Sequence, residues 1–254
     1  YGIRFNPRTN YQSTFMLLGP KVVGDPSCTN TEDSRTHGEV TCAFVGSDGF
    51  LYGIRFNPRS RSVSQLASFK QRRVSGDPSC VESSDTFDIA DSATCVVKGD
   101  NGDVLAFQFN PRTTSTMRYR SLGLKSYGNP SCVGIGTIIC AWKGARNELY
   151  AVEFAFGRTQ PPWQQYLGGI LVEDPICTRS SFSPISRIGT ITCTAKGLRN
   201  GLHGIQFDPS AQFSTGFQQL GGVLTDRPGC AAVGNGVMCA VKDTGNGLWD
   251  IFWD

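Results

Sequence analysis

The ten cysteines constrain this chain more than any other feature of its sequence, because they form five close pairs. The pairs are Cys28 and Cys42, Cys80 and Cys95, Cys132 and Cys140, Cys177 and Cys193, and Cys230 and Cys239. Their first members lie 52, 52, 45 and 53 residues apart. A recurrence of this length over most of a 254-residue chain indicates a structural repeat.

Alignment on the cysteines shows four short apolar runs in each repeat, which we call A to D. Run A ends at a Pro-x-Cys, B surrounds the second cysteine, C follows a turn, and D ends near a Leu-Gly. The dipeptides between B and C are Asp48-Gly49, Asn101-Gly102, Asn147-Glu148, Asn200-Gly201 and Asn246-Gly247. Four of these five favour two-residue type I′ turns, so B and C are predicted to be antiparallel neighbours.

The cysteine positions also predict which cysteines are joined. The midpoint of Cys230 and Cys239 falls between Gly234 and Asn235, and Cys132 and Cys140 are centred on Gly136. A hairpin with its turn at these points places the two cysteines opposite each other, about 4.5 to 5.5 Å apart and within reach of a disulfide. We therefore predict five disulfides, one within each repeat.

Metal binding is the alternative use of so many cysteines. The chain has no Cys-x-x-Cys and only two histidines, so we predict no metal and no cofactor. Disulfides persist in oxidising compartments, which predicts a secreted or extracellular protein, with the periplasm as the alternative.

Four antiparallel strands repeated five times predict an all-β fold, a five-bladed β-propeller with one disulfide in each four-stranded blade. A β-trefoil or a solenoid fits five repeats less well. The predicted blades are residues 22–69, 74–122, 126–168, 171–220, and 223–254 completed by 1–19, so that the N- and C-terminal strands close a single domain. We number them repeats 1 to 5.

The stretch YGIRFNPR occurs at residues 1–8 and again at 52–59, and it is a copy of strand C. Strand C thus occurs six times, while A, B and D occur five times. Because Asn246-Gly247 joins the C-terminal copy to strand B by a short loop, we expect that copy to lie beside B, with residues 13–19 as its strand D. The N-terminal copy then forms an outer fifth strand, or an exposed edge that pairs with another molecule in a homo-oligomer.

The segments PPWQQYLGGILVEDPIC and GFQQLGGVLTDRPGC, followed by GLRNGLHGIQF and GNGLWDIFW, resemble repeats of secreted propeller lectins. The repeat style is similar to the fucose-binding type, with about fifty residues per blade, and the blade number to the tachylectin type. This resemblance implies several quasi-equivalent weak glycan sites used multivalently, with glycans or glycoproteins as partners.

A sugar site needs an aromatic ring beside polar side chains. One column of strand C supplies the candidate side chains Tyr52, Tyr150, His203 and Trp249, with Leu105 interrupting the series. The preceding turns supply Asp48, Asn147, Asn200 and Asn246, and Trp163 begins a strand D. The alternative interpretation is structural: the rings pack between blades, and the turn residues are present because they tolerate positive φ.

Two other classes of function stay open. A propeller glycoside hydrolase would use carboxylates such as Asp25, Asp77 and Asp174, but their equivalent places in the repeats favour turn formation, and we predict no enzyme. A self-assembling structural or adhesion protein would use edge strands. The net charge of +3 without a basic cluster predicts no nucleic-acid partner, and no apolar run reaches 18 residues, which predicts no membrane insertion.

Overall fold

A computed structural model describes strands in each of the five repeats. The described residues are 5–6, 11–12, 21–31, 39–57, 60, 62–64, 66–83, 92–110, 118–134, 137–157, 163–181, 189–211, 213–234 and 236–253. They form antiparallel sheets, with a single short 3₁₀ turn at Leu198–Asn200. The part of the chain that the structure describes holds no helix long and apolar enough to cross a membrane.

The strands follow the predicted order A, B, C and D along the chain. Repeat 1 contains β3 (Val22–Asn30), β4 (Val40–Gly46), β5 (Phe50–Asn57), β6 (Ser62–Val63) and β7 (Ala67–Arg73). Repeat 2 contains β8 (Ser79–Ser83), β9 (Ser92–Lys98), β10 (Asp103–Phe109) and β11 (Arg118–Lys125). Repeat 3 contains β12 (Ser131–Gly134), β13 (Ile138–Lys143), β14 (Leu149–Phe154) and β15 (Trp163–Gly168).

Repeat 4 contains β16 (Ile176–Ser181), β17 (Thr190–Lys196), β18 (Leu202–Asp208), β19 (Phe213–Ser214) and β20 (Gln218–Gly221). Repeat 5 contains β21 (Gly229–Val233), β22 (Gly236–Lys242) and β23 (Leu248–Trp253). Repeats 2 and 3 are four-stranded sheets. In repeats 1 and 4 strand D is divided into two segments that both pair with strand C, and the sheet of repeat 5 has three described strands.

All five predicted disulfides are confirmed, and each lies within one repeat. In every repeat the two cysteines are directly opposite each other on strands A and B, with Cα atoms 4.0 Å apart. The predicted two-residue connection at 234–235 is also confirmed, because Val233 pairs with Gly236. The register of strands A and B at the cysteines was therefore predicted correctly from the cysteine positions.

The turn between strands B and C differs from the prediction. In repeat 2, Gly99 N–H donates to Asp103 O at 2.8 Å and Gly102 N–H donates to Gly99 O at 3.0 Å, which encloses a three-residue loop. The third loop residue has a positive φ in each repeat, at Gly49, Gly102, Asn147, Asn200 and Asn246. In repeats 1, 2 and 5 the type I′ prediction is wrong, because the loop is the longer type in which a turn is followed by one left-handed residue, a conformation suited to Gly and Asn. In repeat 4 two successive loop residues, Arg199 and Asn200, are left-handed, one position before the predicted Asn200-Gly201.

The N-terminal copy of strand C begins a hairpin, in which β1 (Phe5–Asn6) pairs with β2 (Tyr11–Gln12). Phe5 pairs with Gln12, and 51 residues later Phe56 pairs with Val63 in the same register. The N-terminal copy therefore lies beside the start of a strand D, as strand C does in repeat 1. Residues 13–20 lie outside the described residues, and closure of repeat 5 by residues 13–19 stays a prediction.

The chain divides into two compact units, Tyr1–Leu122 and Gly123–Asp254. In the first unit, Leu51 and Phe69 of repeat 1 form a core with Leu105 and Phe109 of repeat 2. Phe69 and Phe109 meet edge to face, with ring centroids 5.0 Å apart. Gly53 makes room for this contact, since a Cβ there would overlap the Phe109 ring.

The second unit repeats this construction. Leu149 and Ala151 of repeat 3 pack with Ile205 and Phe207 of repeat 4, and a further core joins repeats 4 and 5. Gly204 accommodates the Trp253 ring, as Gly53 accommodates Phe109. In both units, then, successive repeats pack face to face around buried side chains of strand C.

Candidate functional site

The predicted ring column lies where strand C leaves the B–C loop. Opposite its residues on strand B are Phe44 for Tyr52, Trp142 for Tyr150, Ala195 for His203 and Val241 for Trp249. In repeats 1 to 4 a glycine ends strand B or directly follows it, and a Cβ there would crowd the column side chain; these glycines are Gly46, Gly99, Gly144 and Gly197. Each column side chain therefore folds back over its own B–C loop.

In repeat 1 the ring of Tyr52 is held by a carboxylate. Tyr52 Oη donates to Asp48 Oδ2 at 2.6 Å, and the ring stacks on Phe44 with centroids 6.0 Å apart. This hydrogen bond holds the pKa of Asp48 below its usual value and raises the pKa of Tyr52. Asp48 directly precedes Gly49, which has the left-handed backbone conformation. Asp48 therefore does not occupy the loop position of Asn147, Asn200 and Asn246, with which the sequence analysis grouped it.

In repeat 3 the same pairing uses a different acid. Tyr150 Oη donates to Glu148 Oε1 at 3.1 Å, and Tyr166 on strand D meets the Tyr150 ring edge to face at 5.4 Å. Glu148 is buried, and none of the described residues makes a hydrogen bond to its Oε2. Burial, followed by the hydrogen bond to Glu148, raises the pKa of Tyr150. Tyr166 is 64% exposed and presents an open aromatic surface.

In repeat 5 the column residue is Trp249, which is 59% exposed. Its Nε1–H donates to Asp243 Oδ2 at 2.6 Å. Asp243 Oδ1 in turn accepts hydrogen bonds from the backbone N–H groups of Gly245 at 2.9 Å and Gly247 at 2.7 Å. The hydrogen bond from Trp249, followed by that from Gly247, lowers the pKa of Asp243, so this carboxylate is ionised at neutral pH.

Trp249 and Asp243 line a groove of about 340 Å³ together with Val223, Thr244 and Asp250. This volume is at the lower end of the range for small-molecule sites. The groove combines an exposed indole, apolar side chains and two carboxylates. Such a surface suits a small polar ligand with one apolar face.

Repeats 2 and 4 lack this pairing. Leu105 is 2% exposed and belongs to the core of the first unit, in agreement with its interruption of the aromatic series. His203 lies over Gly197 and opposite Gln219 of β20. Among the described residues, no carboxylate makes a hydrogen bond to the His203 ring.

The predicted turn asparagines are exposed but have a conformational role. Asn147, Asn200 and Asn246 have φ of 66°, 60° and 63°. Their backbones also anchor the next repeat, since Asn147 O accepts from Leu171 N–H and Asn200 O accepts from Leu224 N–H, both at 2.7 Å. The structural interpretation of these three residues is the one that the geometry supports.

Trp163 lies away from the ring column. It pairs with Glu153, whereas Tyr150 pairs with Tyr166 three residues further along β15. The structure therefore does not bring Trp163 into the constellation of Tyr150 and Glu148.

The aspartates that an enzyme would use join successive repeats instead. Asp77 Oδ1 accepts a hydrogen bond from the backbone N–H of Asp25 at 2.8 Å, and the carboxylate of Asp174 lies against Gly128. At the equivalent place in repeat 5, Arg227 Nη2 donates to Pro175 O at 2.6 Å. Within the described ranges, no group of three or more His, Cys, Asp or Glu side chains is arranged to hold a metal ion.

Sequence reasoning missed Glu148, Asp243 and Tyr166. The acid precedes its ring by four residues in repeat 1, two in repeat 3 and six in repeat 5, so the acids share no column of the alignment. The signal that was available is an Asp or Glu within six residues before each column aromatic.

Comparison with solved structures identifies the fold. The SapL1 lectin in complex with alpha methyl fucoside matches with a TM-score of 0.59 and 9% identity over 90% of this chain and 76% of that one. The Aleuria aurantia lectin, a six-bladed β-propeller with a fucose recognition mode, matches with a TM-score of 0.58 and 9% identity over 90% and 74%. BBS1N in complex with ARL6DN matches at 0.55 and 11% over 95% and 68%.

The chain thus has a β-propeller fold similar to that of fucose-binding lectins. No family model and no curated protein sequence matches it. Since the Aleuria aurantia lectin has six blades, the predicted count of five blades is not confirmed by the comparison.

Proposed function

We propose that this protein is a carbohydrate-binding lectin whose sites are built on the rings of strand C. The single observation that carries the proposal is the groove of repeat 5, where Trp249 exposes 59% of its surface and is fixed in place by Asp243. A ring held by a hydrogen bond loses little conformational freedom when a ligand stacks on it.

The chemistry of this groove matches the surface of a sugar. The apolar face of a pyranose stacks on an indole, and its hydroxyl groups donate to carboxylate oxygens. Asp243 Oδ2 accepts one hydrogen bond from Trp249 and retains lone pairs for a second donor, and Asp250 lies in the same groove. Two of the similar structures are a lectin in complex with a fucoside and a lectin with a fucose recognition mode, which makes fucosides the first ligands to test.

Several such sites on one chain would bind cell-surface glycans multivalently. Single sites with millimolar to micromolar affinity then give tight binding through avidity. The five disulfides support a secreted, extracellular protein. The propeller hydrolase is the weaker alternative, because Asp25 and Asp77 are tied to each other by a backbone hydrogen bond.

A glycan array tests the proposal. The labelled protein should bind a defined subset of glycans, and free monosaccharide should abolish the signal in parallel. An absence of binding at high glycan density and high protein concentration would mean that the protein is not a lectin. A self-assembling protein would instead form large particles without any sugar, and light scattering of the pure protein tests for them.

A further inference from the structure

Three repeats share one constellation that the sequence alignment does not reveal: a strand C ring that donates a hydrogen bond to a carboxylate in or directly beside its own B–C loop. The pairs are Tyr52 with Asp48, Tyr150 with Glu148, and Trp249 with Asp243. They belong to repeats 1, 3 and 5. The donor–acceptor distances are 2.6, 3.1 and 2.6 Å, respectively.

The acids reach this arrangement from three different loop positions. Asp48 is the second residue of its loop, Glu148 directly follows its loop, and Asp243 stands where the other repeats have glycine. Simple repetition of one ancestral residue therefore does not account for the shared geometry. A common requirement of the three rings, to be held over the loop by an anionic acceptor, does account for it.

The other two repeats lack one half of the pair. Repeat 2 has a carboxylate, Asp103, but it accepts from Asn101 Nδ2 at 2.7 Å, and the column residue is the buried Leu105. Repeat 4 has the His203 ring, and the described residues place no hydrogen-bonded carboxylate on it.

We infer that the protein has three glycan sites rather than five, in repeats 1, 3 and 5, each formed by one ring and its carboxylate. This inference rests on the proposed lectin function and adds the number, the location and the ligand class of its sites. His203 is not part of a site. Asp48 stays a site residue, Glu148 and Asp243 are added to it, and the turn asparagines Asn147, Asn200 and Asn246 are not site residues.

The carboxylates also select the class of sugar. A carboxylate in each site accepts hydrogen bonds from hydroxyl groups and repels a ligand carboxylate or sulfate. In the groove of repeat 5 two aspartates line the same cavity. The ligands are therefore neutral or amino sugars, and sialylated or sulfated termini are excluded.

The unmatched Oε2 of Glu148 supports the site in repeat 3. A buried carboxylate oxygen without a partner is costly, and a ligand hydroxyl that reaches it removes this cost. Tyr166, exposed beside Tyr150, supplies an additional ring surface in this repeat. Repeat 3 is thus distinguished from repeat 1 by two features that favour binding.

Equilibrium dialysis of the disulfide-intact protein measures the number of sites. The probes are radiolabelled methyl glycosides of fucose, galactose, mannose and N-acetylglucosamine, with the methyl glycoside of N-acetylneuraminic acid as the anionic probe. At saturation, a binding neutral glycoside should reach three molecules per chain. Saturation at any other number, or binding of the anionic probe, would overturn the inference.

Leucine substitutions locate the sites, because Leu105 already occupies this column in repeat 2. The variants Tyr52→Leu, Tyr150→Leu and Trp249→Leu should each lower saturation from three to two, and His203→Leu should leave it at three. A loss of one site in His203→Leu would show that the carboxylate does not define a site. Binding of no glycan here or on the array would instead disprove the lectin function itself.

Discussion

The hydroxyl of Ser27 in repeat 1 accepts a hydrogen bond from the backbone N–H of Cys80 in repeat 2, at 2.9 Å. In the second unit Ser131 accepts from the Cys177 N–H at 2.8 Å in the same way. Each serine directly precedes the first cysteine of its own repeat. The Pro-Ser-Cys segment therefore closes a disulfide within one repeat and binds the next repeat through the serine.

Removal of this hydroxyl should weaken the contact between repeats 1 and 2. In Ser27→Ala the part-buried Cys80 N–H loses its acceptor, and we expect a loss of about 1 kcal/mol in the free energy of unfolding. Urea denaturation of oxidised protein measures it. Ser27→Thr, which keeps a hydroxyl, is the matched control and should recover most of the loss; equal stability of the alanine variant and the wild type would refute the role of this bond.

Each disulfide should contribute independently to stability. The Cys132–Cys140 bridge spans 8 residues and the Cys177–Cys193 bridge spans 16. The chain-entropy model gives about 2.5 and 3 kcal/mol for loops of these lengths. Double serine variants of each pair should lose these amounts of unfolding free energy, as measured by chemical denaturation. The loss should be slightly larger for the pair that closes the longer loop.

Non-reducing peptide mapping should find all five bridges within repeats, and a bridge between repeats would contradict the register.

Substitutions of Asn147 distinguish a conformational role of the turn asparagines from a role in binding sugar. Its φ of 66° is a left-handed conformation that glycine adopts freely and alanine adopts at a cost of about 1 kcal/mol or more. Asn147→Ala should therefore lower thermal stability, Asn147→Gly should be near neutral, and both should bind glycan like the wild type. Loss of sugar binding in the stable glycine variant would restore the turn amide to the site.

The Trp249–Asp243 pair should depend on pH only in acid. The pKa of Asp243 is held below its ordinary 3.8, so its hydrogen bond is fully present above that value and is lost as the pH falls through the lowered pKa. The indole N–H signal of Trp249, assigned by its disappearance in Trp249→Leu, should be constant from pH 7 to 4 and shift below. Asp243→Asn, which keeps a carbonyl acceptor, should lose this shift; a transition near pH 5 in the wild type would contradict the assignment.

The sequence predicted the fold well where geometry followed from spacing. Cys132 and Cys140 are equally far from the centre of their hairpin, and this determines the register of the two strands that carry them. Likewise, Leu51, Leu149 and Leu202 recur at buried positions of strand C. It predicted the site less well. Acids such as Glu148 reach their ring through loop conformation, so they occupy no fixed alignment column, and the loop length itself was misjudged because Asn-Gly is compatible with more than one hairpin loop.

The central claim is that sugars bind to rings held by carboxylates, and one measurement tests it directly. The triple variant Tyr52→Leu, Tyr150→Leu and Trp249→Leu is compared with the wild type on the same glycan array, after peptide mapping shows its five disulfides intact. The wild type should bind neutral glycans and the triple variant should bind none. Undiminished binding by the folded triple variant would show that the sugar site lies elsewhere on the propeller.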